Sequence, residues 1–201
     1  MKTFIFYLII LTMLGFAVEG CKKDSKNDGT TGNYLRVDGV DYPVSKGFLV
    51  NYGANNSVYH MELVLLSSGL TIHEHQGLPD SASGTGHVIT YELSSSTGDK
   101  LALGNYVYNK SEVAGTFYFA DYFLNWNSTL NPYIDFIEIT SGTVDVLNNG
   151  AEYELNFSGK DSNNKTISGY YKGPLKYYDG SGKKKSSQPK NSWRQKSGPE
   201  F

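Results

Sequence analysis

Apolar and polar residues alternate with a period of two through much of the chain between residues 33 and 179. In the segment Glu152–Ser158, tyrosine, leucine and phenylalanine occupy every second position, and polar residues stand between them. Because successive side chains of a β-strand point to opposite faces, this pattern predicts a strand with one buried face. Residues 59–65 and 88–93 alternate in the same way. Helical spacing is not evident, so the sequence predicts an all-β domain over residues 33–179.

Turn-forming residues divide this domain at short intervals. Asp38-Gly39 predicts a two-residue hairpin turn of type I′, since both central residues of that turn need a positive φ. Further reversals are predicted at residues 67–69, 94–99, 127–132, 148–150 and 161–164. We therefore predict an antiparallel β-sandwich of about ten strands, and a lipocalin-like closed β-barrel fits the same pattern.

The single cysteine of the chain, Cys21, directly follows a short apolar segment. Lys2 precedes the apolar run Phe4–Val18, and Gly20 stands just before the cysteine. This arrangement resembles the signal peptide of bacterial lipoproteins. The resemblance implies cleavage after residue 20 and attachment of acyl chains such as palmitate to Cys21, which would tie the protein to a lipid bilayer. A plain secretory signal and an uncleaved anchor are the alternatives.

Two polar segments flank the predicted domain. Residues 22–29 hold no apolar side chain, so residues 21–32 are expected to form a flexible tether. Residues 180–201 contain six lysines and arginines against Glu200 alone, a net charge of +5 in a chain whose total is −2. This basic tail is expected to be disordered. Contact with anionic headgroups and a solvated extension without a role are both open.

A second resemblance lies in the C-terminal part of the domain. The segments Glu138–Val146, Tyr153–Phe157 and Lys165–Leu175 read as a closing meander similar to that of Bacteroidetes-type outer-membrane lipoproteins of unknown function. Val37–Pro43 resembles their first hairpin. The resemblance implies a β-sandwich or lipocalin-like domain that is lipid-anchored at the outer membrane, on either the periplasmic side or the cell surface.

Three of the four histidines, His73, His75 and His87, are close in sequence. On a strand, His73 and His75 would share a face, as ligands of one metal ion must. The pair is similar to the His-x-His of cupin metal sites, but Pro79 and Asp80 stand where a glutamate is expected. A metal site is therefore one hypothesis. Surface histidines, with His87 capping the end of the core, are the other, and we predict no cofactor.

Residues 76–86 read as a polar loop. Within it, Asp80-Ser81-Ala82 matches the short O-glycosylation sequence of Bacteroides-like organisms, which makes Ser81 a candidate acceptor. A chance match is the alternative.

The segment Phe117–Trp126 is aromatic on both predicted faces. Strict alternation assigns three phenylalanines to the core and three amphipathic rings to the outer face, where they are suited to stacking on sugars. The core set is Phe117, Phe119 and Phe123, and the outer set is Tyr118, Tyr122 and Trp126. Aromatic residues are also common in strands for packing alone.

The sequence contains no nucleophile elbow, no phosphate-binding loop and no His-Glu-x-x-His motif. We therefore predict a membrane-anchored, non-catalytic binding module for a glycan or another ligand, without a nucleic-acid partner. The alternatives are a small-molecule carrier, a metal-dependent enzyme that uses the region of His73 and His75, and a lipoprotein with a purely structural role.

Overall fold

The computed structural model describes residues 32–130 and 136–182, and these residues form twelve strands and no helix. In chain order the strands are β1 (Tyr34–Val37), β2 (Val40–Pro43), β3 (Lys46–Asn55), β4 (Val58–Leu66), β5 (Leu70–His75), β6 (Leu78–Ser95), β7 (Gly104–Tyr108), β8 (Thr116–Asn127), β9 (Ile137–Asn149), β10 (Tyr153–Asp161), β11 (Thr166–Gly173) and β12 (Leu175–Asp179). The predicted signal peptide, nearly all of the tether and most of the basic tail lie outside the described residues.

Eleven strands form one curled sheet in the order β12–β3–β4–β6–β8–β7–β9–β10–β11–β1–β2, and β5 pairs with β6 beside this path. The neighbours are antiparallel except for β12 with β3 and β7 with β8, which are parallel. The curled sheet is a half-barrel. The prediction of an all-β sandwich or barrel-like fold is therefore confirmed, and the two parallel pairings refine it.

Two-residue turns join several of the neighbouring strands. Asp38 and Gly39 have φ values of 51° and 86°, so the predicted hairpin between β1 and β2 is confirmed. Asn56 and Ser57 form an equivalent turn between β3 and β4, with φ values of 50° and 67°. Asparagine adopts this left-handed conformation more readily than most residues, which explains how a turn forms there without glycine.

The prediction of a polar loop over residues 76–86 is wrong. Gln76 and Gly77, with φ values of 51° and 75°, turn β5 directly into β6. The first part of β6 pairs with β5, and the part from Thr85 onward pairs with β8. Hydrogen bonding between strands thus orders a segment whose small polar side chains gave no strand signal.

The inner face of the curled sheet carries the main core. Its buried side chains come from β1, β3, β4 and β6–β11, together with Val44 and Leu101. Five of its largest side chains are almost completely buried: Tyr91, Tyr106, Phe117, Tyr122 and Tyr171. Tyr91 and Phe117 meet edge to face, with ring centroids 5.3 Å apart, an arrangement that aromatic pairs favour. Side chains thus fill the space that the sheet encloses.

A second core lies on the outer face of β3, β4, β6 and β8. Side chains of the β5–β6 hairpin and of β12 pack against it, so this part of the sheet is buried on both faces. Its buried residues are Phe48, Val50, Val64, Leu66, Leu70, Val88, Phe123, Trp126 and Tyr178.

A β-bulge at Tyr118 changes the phase of β8. Phe117 is opposite Leu93 and Phe119 is opposite Glu92, so Tyr118 is an extra residue in its strand. One extra residue reverses the faces of the residues that follow, up to the next irregularity in the strand. Tyr122 therefore lies in the main core instead of on the outer face, and Phe123 lies in the second core instead of the main one. The prediction of strict alternation through β8 is wrong for this reason.

Candidate functional site: an acidic cluster on the outer face

Glu62 of β4 and Glu92 of β6 are direct cross-strand partners on the outer face of the sheet. They are only 1% and 4% exposed. Directly opposed like charges destabilise a sheet, and burial adds the cost of removing each carboxylate from water. Packing alone does not account for two glutamates at these positions.

Further polar side chains surround this pair. Asp121 of β8 is buried opposite Thr90, two residues from Glu92 on the same face of β6. Ser94 lies two residues from Glu92 in the other direction, and its partner on β4 is His60. We call the six residues Glu62, Glu92, Asp121, His60, Thr90 and Ser94 the outer-face acidic cluster.

Two tyrosines and a loop glutamate form the rim of this cluster. The Tyr52 hydroxyl donates a hydrogen bond to Oε2 of Glu62 at 2.6 Å. The Tyr118 hydroxyl is hydrogen-bonded to Glu92, and burial together with the negative charge of that carboxylate raises the pKa of Tyr118. Oε2 of Glu112 lies 3.9 Å from Nδ1 of His60, and the Glu112 side chain is 47% exposed. The rim is therefore open to solvent on the Glu112 side.

The cluster contains two hydroxyl groups without a hydrogen-bond partner in the described part of the chain. They are Oγ1 of Thr90 and Oγ of Ser94, and both residues are 0% exposed. An unsatisfied buried polar group costs about 1–3 kcal/mol. Both side chains point to the same face as Glu92, because Ile89, Tyr91 and Leu93 between them belong to the main core. The two hydroxyls are therefore available to a ligand that enters the cluster.

Sequence reasoning did not find this cluster. Alternation correctly separated Glu62 and Glu92 from the apolar face, but it gave no sign that the polar face is covered. One signal was present: Val64, Leu66 and Val88 occupy that same face. Apolar residues on the supposed solvent side indicate a strand that is buried on both faces.

The structure does not bring the three candidate metal ligands together. His73 and His75 are exposed on β5, and Nε2 of His73 lies 2.7 Å from Oγ of Ser83. Nδ1 of His87 accepts a hydrogen bond from the Asn125 backbone N–H at 3.0 Å, and burial lowers the pKa of this histidine. Within residues 32–130 and 136–182, no group of three or more His, Cys, Asp or Glu side chains is arranged to hold a metal ion.

His87 occupies the end of the main core. Its ring packs edge-on against Tyr42, with centroids 5.0 Å apart, and Tyr42 in turn packs against that core. This is the capping position that the sequence offered as the alternative to a metal site.

The three aromatic residues predicted to bind a ligand do not share a face. Tyr122 is 1% exposed in the main core, and its hydroxyl donates to Oδ2 of Asp161 at 2.7 Å. Trp126 is 9% exposed in the second core. Tyr118, the bulged residue, is the one member that reaches the acidic cluster. The expectation of one exposed aromatic surface is wrong, because the bulge turns Tyr122 into the main core and the second core covers Trp126.

Ser81, the candidate glycosylation site, is half-buried on β6 and pairs with His73. It lies in a strand instead of the predicted loop. Its modification remains a prediction.

Comparison of the chain with models of protein families, with curated proteins and with solved structures finds no match. No helix in the described ranges is long and apolar enough to cross a membrane. The fold and the cluster themselves define the class: an all-β half-barrel domain with a buried acidic cluster on the outer face of its sheet.

Proposed function

We propose that this chain is a membrane-anchored, non-catalytic lipoprotein of the Bacteroidetes outer-membrane type whose β domain binds a glycan at the outer-face acidic cluster. The observation that carries the binding role is the pair of buried, unsatisfied hydroxyls of Thr90 and Ser94 beside Glu62 and Glu92. Buried polar groups in folded proteins nearly always have partners, and a bound ligand would supply the partners that these two hydroxyls lack in the described chain.

The chemistry of the cluster suits a ligand rich in hydroxyl groups. Carboxylates accept hydrogen bonds from sugar hydroxyls, and the serine and threonine hydroxyls both donate and accept. Tyr52 and Tyr118 add aromatic rings at the rim, where an apolar sugar face would stack. By contrast, the filled main core gives no support to a carrier of apolar molecules inside the half-barrel.

The anchor is proposed from Cys21, which lies outside the described residues. Replacing Cys21 with alanine is expected to move the protein from the detergent phase to the aqueous phase in detergent partitioning. Retention in the detergent phase would count against acylation at this position. Protease treatment of intact cells would then distinguish the cell surface from the periplasmic side.

A screen of immobilised polysaccharides and oligosaccharides with the full-length protein tests the binding role. For any glycan that binds, Glu92→Gln is expected to weaken affinity at least tenfold, because the substitution changes an acceptor in the cluster with little change in shape. Glu154→Gln is the matched control, since Glu154 is half-buried and forms an ion pair with Lys172 on another part of the sheet. Equal loss in both variants, or no binding to any glycan, would contradict the proposal.

A further inference from the structure

We propose that the group bound by the acidic cluster is a protonated amine, so that the glycan recognised is an amino sugar with a free ammonium group. This inference rests on the proposed glycan-binding function and narrows it to one ligand class.

Charge is the first argument. Glu62 and Glu92 face each other across neighbouring strands at almost complete burial, and Asp121 is buried close by. Carboxylates that share a low-dielectric site repel each other, and a cation placed among them relieves that repulsion. Glu112 adds a negative charge at the solvent-exposed rim, which favours the approach of a cation over that of an anion.

Hydrogen bonding is the second argument. The hydroxyls of Tyr52 and Tyr118 are hydrogen-bonded to Glu62 and Glu92, so their protons are not available to a ligand. The oxygens of Thr90 and Ser94 are free to accept within the described structure. An ammonium group carries three donors and no acceptor, so beside Glu92 it can donate to that carboxylate and to one of the two hydroxyls, which lie two residues from Glu92 in opposite directions along β6.

The aromatic rim is the third argument. Tyr52 and Tyr118 are both half-buried and hold their hydroxyls on the two central glutamates. A cation near a tyrosine ring is attracted by the negative face of the ring, and the attraction grows as water is excluded. The rings therefore favour an ammonium group over a neutral amide of similar size. A metal ion is the poorer fit, because no cluster of metal-ligand type occurs in the described ranges.

Two oligosaccharides that differ only at nitrogen provide the test. Titration calorimetry with the full-length protein would compare a β-1,4-linked tetramer of glucosamine with the corresponding tetramer of N-acetylglucosamine. We expect the glucosamine tetramer to bind at least tenfold more tightly. Raising the salt concentration is expected to leave most of this preference in place, because salt screens buried charges much less than exposed ones.

Variants locate the preference within the cluster. Glu62→Gln and Glu92→Gln are each expected to reduce the preference for the amine to less than threefold, whereas Glu154→Gln retains it. A second set of variants removes the unsatisfied hydroxyls. Thr90→Val keeps the size of the side chain, and Ser94→Ala reduces it. They are expected to fold normally, as judged by circular dichroism, and to weaken binding of the glucosamine tetramer severalfold.

The possible failures are distinguishable. Equal affinity for the two tetramers, lost in Glu92→Gln, would overturn the amine inference and leave glycan binding in place. A preference for the amine that both glutamate variants retain would overturn the assignment to this cluster. If neither tetramer binds, the amine inference fails, and the wider glycan screen then decides the proposed function separately.

Discussion

The two faces of β4 and β6 are equally well buried but differ in composition. On the inner face, Leu63 and Tyr91 are cross-strand partners in the main core. On the outer face, one step along the same strands, Glu62 is the partner of Glu92. Burial of apolar side chains stabilises a fold, whereas burial of carboxylates costs free energy unless a partner compensates for it. Apolar side chains on the inner face therefore contribute to stability at the level where the outer face holds the acidic cluster that we propose as the binding site.

The largest change in the free energy of unfolding is expected from truncation of a buried side chain on the inner face. Leu63→Ala is expected to lower the free energy of unfolding by about 2–5 kcal/mol, because a fully buried leucine leaves a cavity. Urea unfolding followed by circular dichroism measures the loss. Leu147→Ala, at an exposed leucine of β9, is the control and should change the value by less than about 0.5 kcal/mol. A loss below 1 kcal/mol for Leu63→Ala would undermine the assignment of the main core.

A smaller effect is expected where the inner face holds a polar group. Tyr122→Phe removes the hydrogen bond to Asp161, whose other carboxylate oxygen accepts backbone N–H groups of Asn163 and Lys165 at 2.9 and 2.8 Å. Because the lost partner is buried, we expect a loss of about 1–3 kcal/mol. Tyr177→Phe removes a hydroxyl bound to the Gly98 carbonyl in an exposed setting and serves as the comparison. Equal effects would show that burial of the Tyr122 contact adds nothing.

On the outer face we expect a substitution to raise the free energy of unfolding instead of lowering it. Glu92→Gln should raise the free energy of unfolding by about 1 kcal/mol in the absence of ligand, since it removes repulsion from Glu62. The double variant Glu62→Gln/Glu92→Gln should gain less than the sum of the single gains, because one substitution already relieves the shared repulsion. Strictly additive gains would show that the two carboxylates do not interact. Glu154→Gln should show no such gain, because the cross-strand partners of Glu154 are Lys172 and Asn148 instead of a second carboxylate.

The smallest expected effect is on the pH dependence of stability, through His87 at the end of the main core. Burial lowers the pKa of His87 in the folded state, so the unfolded chain binds its proton more readily. The neutral His87 therefore contributes stability above its unfolded pKa of about 6.5, and this contribution is lost as the pH falls below that value. Unfolding curves between pH 7.5 and 5.5 should thus be less pH-dependent for His87→Gln than for the wild type. An unchanged slope for His87→Gln would contradict the role of its burial.

Local patterns predicted the fold class well. Alternation at residues 59–65 and 88–93 placed the apolar side of two central strands, and Asp38-Gly39 marked a turn by a requirement of the backbone alone. The β5–β6 hairpin could not be predicted in this way, because Pro79–Gly86 is held by pairing with other strands and has little strand propensity of its own.

The candidate site was harder to predict for two physical reasons. A polar residue in an alternating strand looks the same whether solvent or another layer of the protein covers it, and Glu62 and Glu92 fall in this class. The bulge at Tyr118 depends on how β8 meets β6, which no local pattern records. The covering of the polar face and the position of the bulge both depend on contacts between segments that are distant in sequence. Such contacts determine which side chains come together.

The bulge at Tyr118 also has a consequence for how β8 can change by insertion or deletion. A second extra residue lies further along, where three steps from Phe123 to Trp126 on β8 match two steps from Val88 to Gly86 on β6. Between the two extra residues, the even-numbered side chains Ala120 and Tyr122 therefore point to the inner face, whereas the even-numbered Trp126 beyond them points to the outer face. Deletion of Tyr118 would remove the bulge and leave Phe117 opposite Leu93 and Phe119 opposite Glu92. Deletion of a regularly paired residue between the two extra positions would instead invert the side chains that follow it, up to the second shift. The two extra positions are therefore the places where β8 tolerates the loss of a residue, and each can be lost without a compensating change at the other.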